Sequence, residues 1–186
     1  VKNNGGNAIL TSKNHKTGTD RIHEALSILN RNDIDFIMNI QGDEPDIDIG
    51  DIKNLNNKME ITNSKIGTLA AKILDTKAYE YENLLKVKIK ESFDQNPFPY
   101  ADSFVRKTKE KKNMYHHVGV YCYDVDALKK FISLNQSKNE LKNRLEQLRA
   151  LDNNMNINVA LASKSPIGID TEEDYLAIKK IMKYKK

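Results

Sequence analysis

A chain of 186 residues with 39% hydrophobic and 30% charged side chains, a net charge of +4 and one cysteine holds apolar material for one domain and too much of it to stay disordered. No run nears the ~18 consecutive apolar residues of a membrane helix, and the opening VKNNGGNAIL lacks the charged-then-apolar pattern of a secretory signal, so a cytoplasmic protein without membrane insertion is expected. Cys122 stands alone, which excludes an internal disulfide, and the cationic run from Arg106 to Lys112 has no interleaved aromatics, which speaks for a solvated loop and against nucleic-acid binding.

Helical periodicity first appears after Thr19, where Ile22, Ala25, Leu26 and Leu29 recur on one face with Asp20 and Glu24 in the first turn. DFIMNI (35–40) is too short and too β-branched for a helix and reads as a buried strand ending in the polar loop QGDEPD. Further strands are predicted at 66–73, 85–91, 117–124 and 157–163, with helices at 50–60, 77–83, 124–134, 140–152 and 172–183. The turn formers at 94–103 read as an irregular excursion from the sheet. This alternation predicts a layered α/β fold with a largely parallel sheet.

In such sheets ligands bind beyond the carboxyl ends of the strands, which directs attention to QGDEPD. Asp43 in that loop and Asp170, just ahead of the capping-box-like Thr171-Glu-Glu-Asp174, are two carboxylates suited to a hard divalent cation shared with phosphates. Gly18-Thr19-Asp20-Arg21 opens a helix whose amides favour anions, and Arg21 can grip a carboxylate or phosphate bidentately. His117 and Tyr121 share one face of a strand, where they either meet a ligand or are satisfied inside the sheet. Glu146 and Gln147 flank the apolar stripe Leu141, Leu145, Leu148 and Leu151, a pattern that ordinarily marks solvated helix polars. Cys122, between two tyrosines, reads as a small packed hydrophobe.

Taken in order, TGTDRI (17–22), NIQGDEP (39–45), HVGVYCY (117–123), LEQLRAL (145–151) and GIDTEEDY (168–175) closely resemble the 3-deoxy-manno-octulosonate cytidylyltransferases, or CMP-Kdo synthetases. The resemblance implies a Rossmann-like three-layer nucleotidyltransferase fold with a mixed, mostly parallel sheet. It implies a Mg²⁺-dependent homodimer that joins CTP and the sugar acid Kdo into CMP-Kdo and pyrophosphate for lipopolysaccharide synthesis. By motif, Asp43 and Asp170 become the magnesium ligands and, with Arg21, the catalytic set. Arg21, Gln41, His117, Tyr121, Glu146 and Gln147 become contacts of the sugar acid, and Gly18 and Thr19 lie near the nucleotide. No general base is assigned, because coordination of the attacking hydroxyl to a metal lowers its pKa.

Two departures stand out. Family sequences open with a β-strand and a basic loop of the P-A-R-x-x-S-x-R-x-P-x-K-P type, so residues 1–186 are expected to be a single domain that begins inside the family pattern, without its N-terminal β-loop-α element. If 186 residues are the entire gene product, feeble or no turnover is expected; if they are a fragment, the full protein is expected to be competent. At Ser92–Pro97 the family's Ser-Arg pair is replaced by Asp94-Gln95, which keeps open a related sugar acid, 8-amino-Kdo or sialic acid, as substrate. A non-catalytic sugar- or nucleotide-binding remnant is the alternative of another class.

Overall fold

The computed structural model describes residues 1–169 and 171–184. The chain runs α1 (Gly18–Leu29), β1 (Phe36–Asn39), α2 (Ile49–Thr62), β2 (Ile66–Ala71), β3 (Lys86–Ile89), β4 (Ala101–Val105), β5 (Met114–Asp124), α3 (Val125–Ser133), α4 (Lys138–Asn143), α5 (Leu148–Asp152), β6 (Asn158–Leu161) and α6 (Glu172–Tyr184), with 3-10 turns at Lys2–Asn4 and Thr76–Glu80. Side-chain caps start the helices other than α5. The Thr17 hydroxyl accepts the Asp20 N–H, Asp48 accepts from Gly50, and Ser137 and Glu140 form a reciprocal capping box. Thr171 and Asp174 exchange bonds in the same way ahead of α6. Asn30 and Asn63, both left-handed, close α1 and α2, a conformation asparagine tolerates well.

The sheet order is β4-β3-β5-β2-β6, with β1 added along β5. Helices cover both faces, as expected for a three-layer α/β fold. On one side α3 and α5 bury Leu128, Phe131 and Ala150 against Ile66, Val87, Phe104 and Tyr123, with Ile22 and Leu26 of α1 packed on that cluster. On the other side Leu55 and Met59 of α2 meet Leu69, Val118, Val120 and Cys122. All six residues of β2 are buried, and Gly67 is required there: a Cβ would stand 2.5 Å from the Met59 sulfur. Each fully buried Leu or Met contributes roughly 1.5–3 kcal/mol of apolar transfer.

The expectation of a largely parallel sheet is corrected. Among the described residues the sole parallel pairing is β2 with β6; β1 and β2 both pair antiparallel with β5. β1, β2 and β6 do share a direction, and β1 reaches β2 through the crossover helix α2. β5, however, arrives from β3 and β4 through loops without a helix and inserts between β1 and β2 in the opposite sense. β4 emerges from the end of the segment read as irregular. The helix predicted over 140–152 is interrupted, because Arg144 adopts φ 54° and ends α4 before α5 begins.

β5 is the longest strand, and its free edge is shared by two shorter partners. β3 pairs with 114–116 and β1 with 121–124, which leaves Val118, Gly119 and Val120 between them. On the other edge the β2 register shifts at the same place, from Thr68↔Tyr121 to Leu69↔Val118. The buried Thr68 hydroxyl fills this bulge, 2.8 Å from the Val120 carbonyl and 3.1 Å from His117 Nε2. With its one hydrogen given to Val120, Thr68 accepts from the imidazole.

Candidate active site

A cavity of about 220 Å³ opens beside the gap along β5, at the carboxyl end of β1, and is lined by residues including Thr19, Gln41, Asp43, Tyr121, Glu146 and Gln147. Three structural devices assemble it. The turn after β1 presents Gln41, Asp43 and Glu44, and the Gly119 amide left in the gap donates to Glu44 Oε1 at 3.2 Å. Alternation along β5 points Tyr121 and Tyr123 to the cavity face. The break between α4 and α5 places Glu146 and Gln147 in a turn, where they face the cavity instead of solvent.

The side-chain atoms Tyr121 Oη, Glu146 Oε1 and Gln147 Nε2 are buried and have no hydrogen-bond partner among the described residues. Such groups cost about 1–3 kcal/mol each unless a ligand or water meets them. Burial pushes the Tyr121 and Tyr123 phenols well above their usual range, so both remain protonated donors near neutrality. Burial also raises the Glu146 carboxyl, against the pull of the Thr17 and Thr19 hydroxyls and of Arg149. The Thr19 hydroxyl donates to Glu146 Oε2 at 3.0 Å.

His117 lies one layer behind. Its side chain, in a residue 7% exposed, is bonded to Thr68, meets Phe104 edge-on and touches the Tyr121 ring at 5.4 Å, so it supports the cavity without lining it. Burial, followed by repulsion from His116, lowers its pKa to about 3, and burial with repulsion from Lys86 lowers His116 to about 4. The unfolded chain titrates near 6.5 and so binds more protons between pH 6.5 and these values. Stability from both groups is therefore complete above pH 6.5 and is lost on acidification. Each imidazole is expected to add a slope of up to about 1.4 kcal/mol per pH unit. His117→Asn is expected to remove about half of the fall in urea midpoint between pH 6.5 and 5; an unchanged slope would contradict a neutral buried His117.

Arg21 is not among the cavity groups. Its guanidinium donates to Thr11 Oγ1 at 2.6 Å and to the Ser12 carbonyl at 3.0 Å, and with Glu24, which accepts the Ser12 amide, it pins the segment before α1. Gly18 sits beside Gln41 at the cavity edge, where a Cβ would lie 3.4 Å from Gln41 Nε2. In the Ser92–Pro97 departure, Gln95 Oε1 accepts from Ser92 N and Oγ and closes its own turn, and neither Asp94 nor Gln95 lines the cavity.

Asp170 lies outside the described residues, but the chain leading to it is fixed. Asp51 accepts three bonds from Ser163, at 2.9, 3.0 and 2.9 Å. Lys164 pairs with Asp46, and the Ile169 amide donates to the Asp43 carbonyl at 2.8 Å. This segment thereby crosses the QGDEP loop and leaves the Asp43 bond to Ile169 on the backbone, with the carboxylate exposed beside it. Among the described residues no three His, Cys, Asp or Glu converge as a finished metal cage. The hard oxygen donor at hand, the exposed Asp43 carboxylate, fits a divalent cation whose coordination a second carboxylate, a substrate phosphate and water complete. A larger cleft of about 580 Å³ lies at the opposite end of β2 and β6, where Lys65 and Asp124 pair with each other.

A cytidylyltransferase family model matches residues 1–157. The curated 3-deoxy-manno-octulosonate cytidylyltransferase of Thermodesulfovibrio yellowstonii is 38% identical over 94% of this chain and 72% of the relative. The chain belongs to the 3-deoxy-manno-octulosonate cytidylyltransferase family. The relative from Bartonella henselae is 37% identical over 96% of the chain and 74% of its own length. The solved CMP:2-keto-3-deoxy-manno-octonic acid synthetase complexed with CTP superposes on the whole chain and 76% of its own, with TM-score 0.86 and 29% identity. A UDP-glucose pyrophosphorylase, TM-score 0.65 at 12% identity, shares the fold alone. No described helix of this family member is long and apolar enough to cross a membrane.

Sequence reasoning left Asn39, Glu44, Gly119 and Tyr123 out of the cavity set, although all four line it. The two-residue spacing of Gly119, Tyr121 and Tyr123 on one strand was the available signal.

Proposed function

We propose that this protein activates Kdo with CTP. The anomeric hydroxyl of Kdo attacks the α-phosphorus, the bond to the β-phosphate breaks, pyrophosphate leaves and the hydroxyl proton is released, giving CMP-Kdo. The observation that carries this reading is the convergence of Tyr121 Oη, Glu146 Oε1 and Gln147 Nε2, buried and unmet among the described residues, on a cavity beside Asp43. A phenol and an amide that donate, with a carboxylate that accepts, suit a polyhydroxylated ring. At about 220 Å³ the cavity is below the ~300–1,000 Å³ of sites for drug-sized ligands, so it suits the sugar acid and leaves the triphosphate to the open side.

Thr19 holds Glu146, and His117 backs the Tyr121 ring, so these residues set the orientation of the groups that touch the sugar. Gln41 at the rim, beside Gly18, adds an amide to the same set. Asp43 and Asp170 are assigned to a divalent cation, Mg²⁺, which when bound offsets the charge of the phosphates and aligns the reacting oxygens. A homodimer and a cytoplasmic location complete the reading and are supported by family resemblance.

The full protein with CTP, Mg²⁺ and Kdo is expected to release pyrophosphate, with 8-amino-Kdo and sialic acid as comparison substrates. No release with Kdo beside an active family member would overturn the reading, and release with only another sugar acid would reassign the substrate.

A further inference from the structure

Arg149 sits between two carboxylates, and they hold it unequally. Its guanidinium makes a bidentate pair with Glu140, Nε to Oε2 at 2.8 Å and Nη2 to Oε1 at 2.5 Å, while the same Nη2 stops 3.8 Å from Glu146 Oε1. Both side chains of the close pair are 4% exposed, and the guanidinium also lies over the Phe131 ring at 4.7 Å. Glu140 is fixed in turn by Gln136 Nε2 and the Ser137 amide. A planar fork satisfied by one carboxylate has little reason to turn to the other.

We infer that Glu140 is a positioning residue: by engaging the Arg149 fork it keeps Arg149 from closing on Glu146, and so leaves Glu146 Oε1 free to accept a hydrogen bond from the ligand in the cavity. The inference rests on the proposed role of Glu146 in holding the sugar acid. It explains why a carboxylate oxygen so near a guanidinium has no hydrogen bond. Arg149 then supplies Glu146 with a counter-charge at a distance, without occupying the lone pairs the ligand needs.

Glu140→Gln in the full protein tests it. Glutamine preserves the shape and the capping box, and Arg149 remains balanced by Glu146. With Glu140 neutral, Arg149 is free to bond Glu146 directly. The KM for Kdo is expected to rise about tenfold, with the KM for CTP within about twofold of the parent. Glu140→Asp, which keeps the charge, is expected to recover most of the Kdo affinity. In a Glu146→Gln background the Glu140→Gln change is expected to add nothing, since its effect passes through Glu146. An unchanged KM for Kdo, an equal rise for both substrates, additive effects in the double variant, or loss of the fold in Glu140→Gln would assign the pair to packing alone and overturn the inference. Turnover of Kdo by the parent protein reports separately on the proposed function.

Discussion

Asp43→Asn is expected to lower pyrophosphate release by about a thousandfold at saturating CTP and excess divalent cation, with the urea midpoint unchanged. The rate loss follows from removing a negative oxygen donor where the proposed cation would meet a polyphosphate, a deletion of the size seen when a preorganised transition-state contact is lost. The fold survives because the Asp43 contact with Ile169 is made by its backbone carbonyl, which asparagine keeps, and because the side chain is exposed. Surface changes of this kind stay within about 0.5 kcal/mol. A rate within tenfold of the parent would remove Asp43 from the cation site.

Arg149→Met acts on stability. It strands the Glu140 carboxylate, 4% exposed, without its cation, and a buried pair broken on one side costs about 3–5 kcal/mol. Urea unfolding at pH 7 measures the loss. Its pH dependence has a definite sign. In the parent, burial raises the Glu140 carboxyl, but bonds from Arg149, Gln136 and Ser137 outweigh it and leave the group below 4.5. Its contribution is therefore present above pH 4.5 and disappears as pH falls through the folded value. In the variant, burial is opposed only by the weaker bonds, so Glu140 takes up its proton earlier and the penalty shrinks. The stability gap between parent and variant is expected to narrow from pH 7 toward pH 4. A gap that stays constant would mean that Glu140 is not what Arg149 stabilises.

Much of the layered architecture was legible because it is written in short-range pattern. Ile22 and Leu26 repeat on one face of α1 and pack on the core, and the β-branched DFIMNI contains β1. What escaped was set by contacts distant in sequence. β4 buries Ala101 and Phe104, three positions apart because its register shifts against β3, and this spacing, with the entry through Pro97 and Pro99, masked it. The antiparallel insertion of β5 depends on which edge is vacant, and no local periodicity encodes that. The break at Arg144 is equally silent, since arginine carries no preference for a left-handed backbone. That break decided the site: it turned Glu146 and Gln147 from ordinary helix polars into cavity groups. Arg21 differs. Its motif suggested an anion contact, and in the fold one guanidinium nitrogen, Nη1, bonds Thr11 and Ser12 outside the cavity.

The crossing of 163–169 over the QGDEP loop sets a timetable for maturation. Asp51 and Ser163 are 112 positions apart and Asp46 and Lys164 are 118 apart, so these bonds close some of the longest loops in the chain. Closure of so long a loop is entropically late, and during synthesis the acidic turn emerges long before its fastening does. A nascent chain can thus complete its first helices while the ground beneath Asp43 is still unanchored, and the acidic turn is among the last parts of the fold to be fastened.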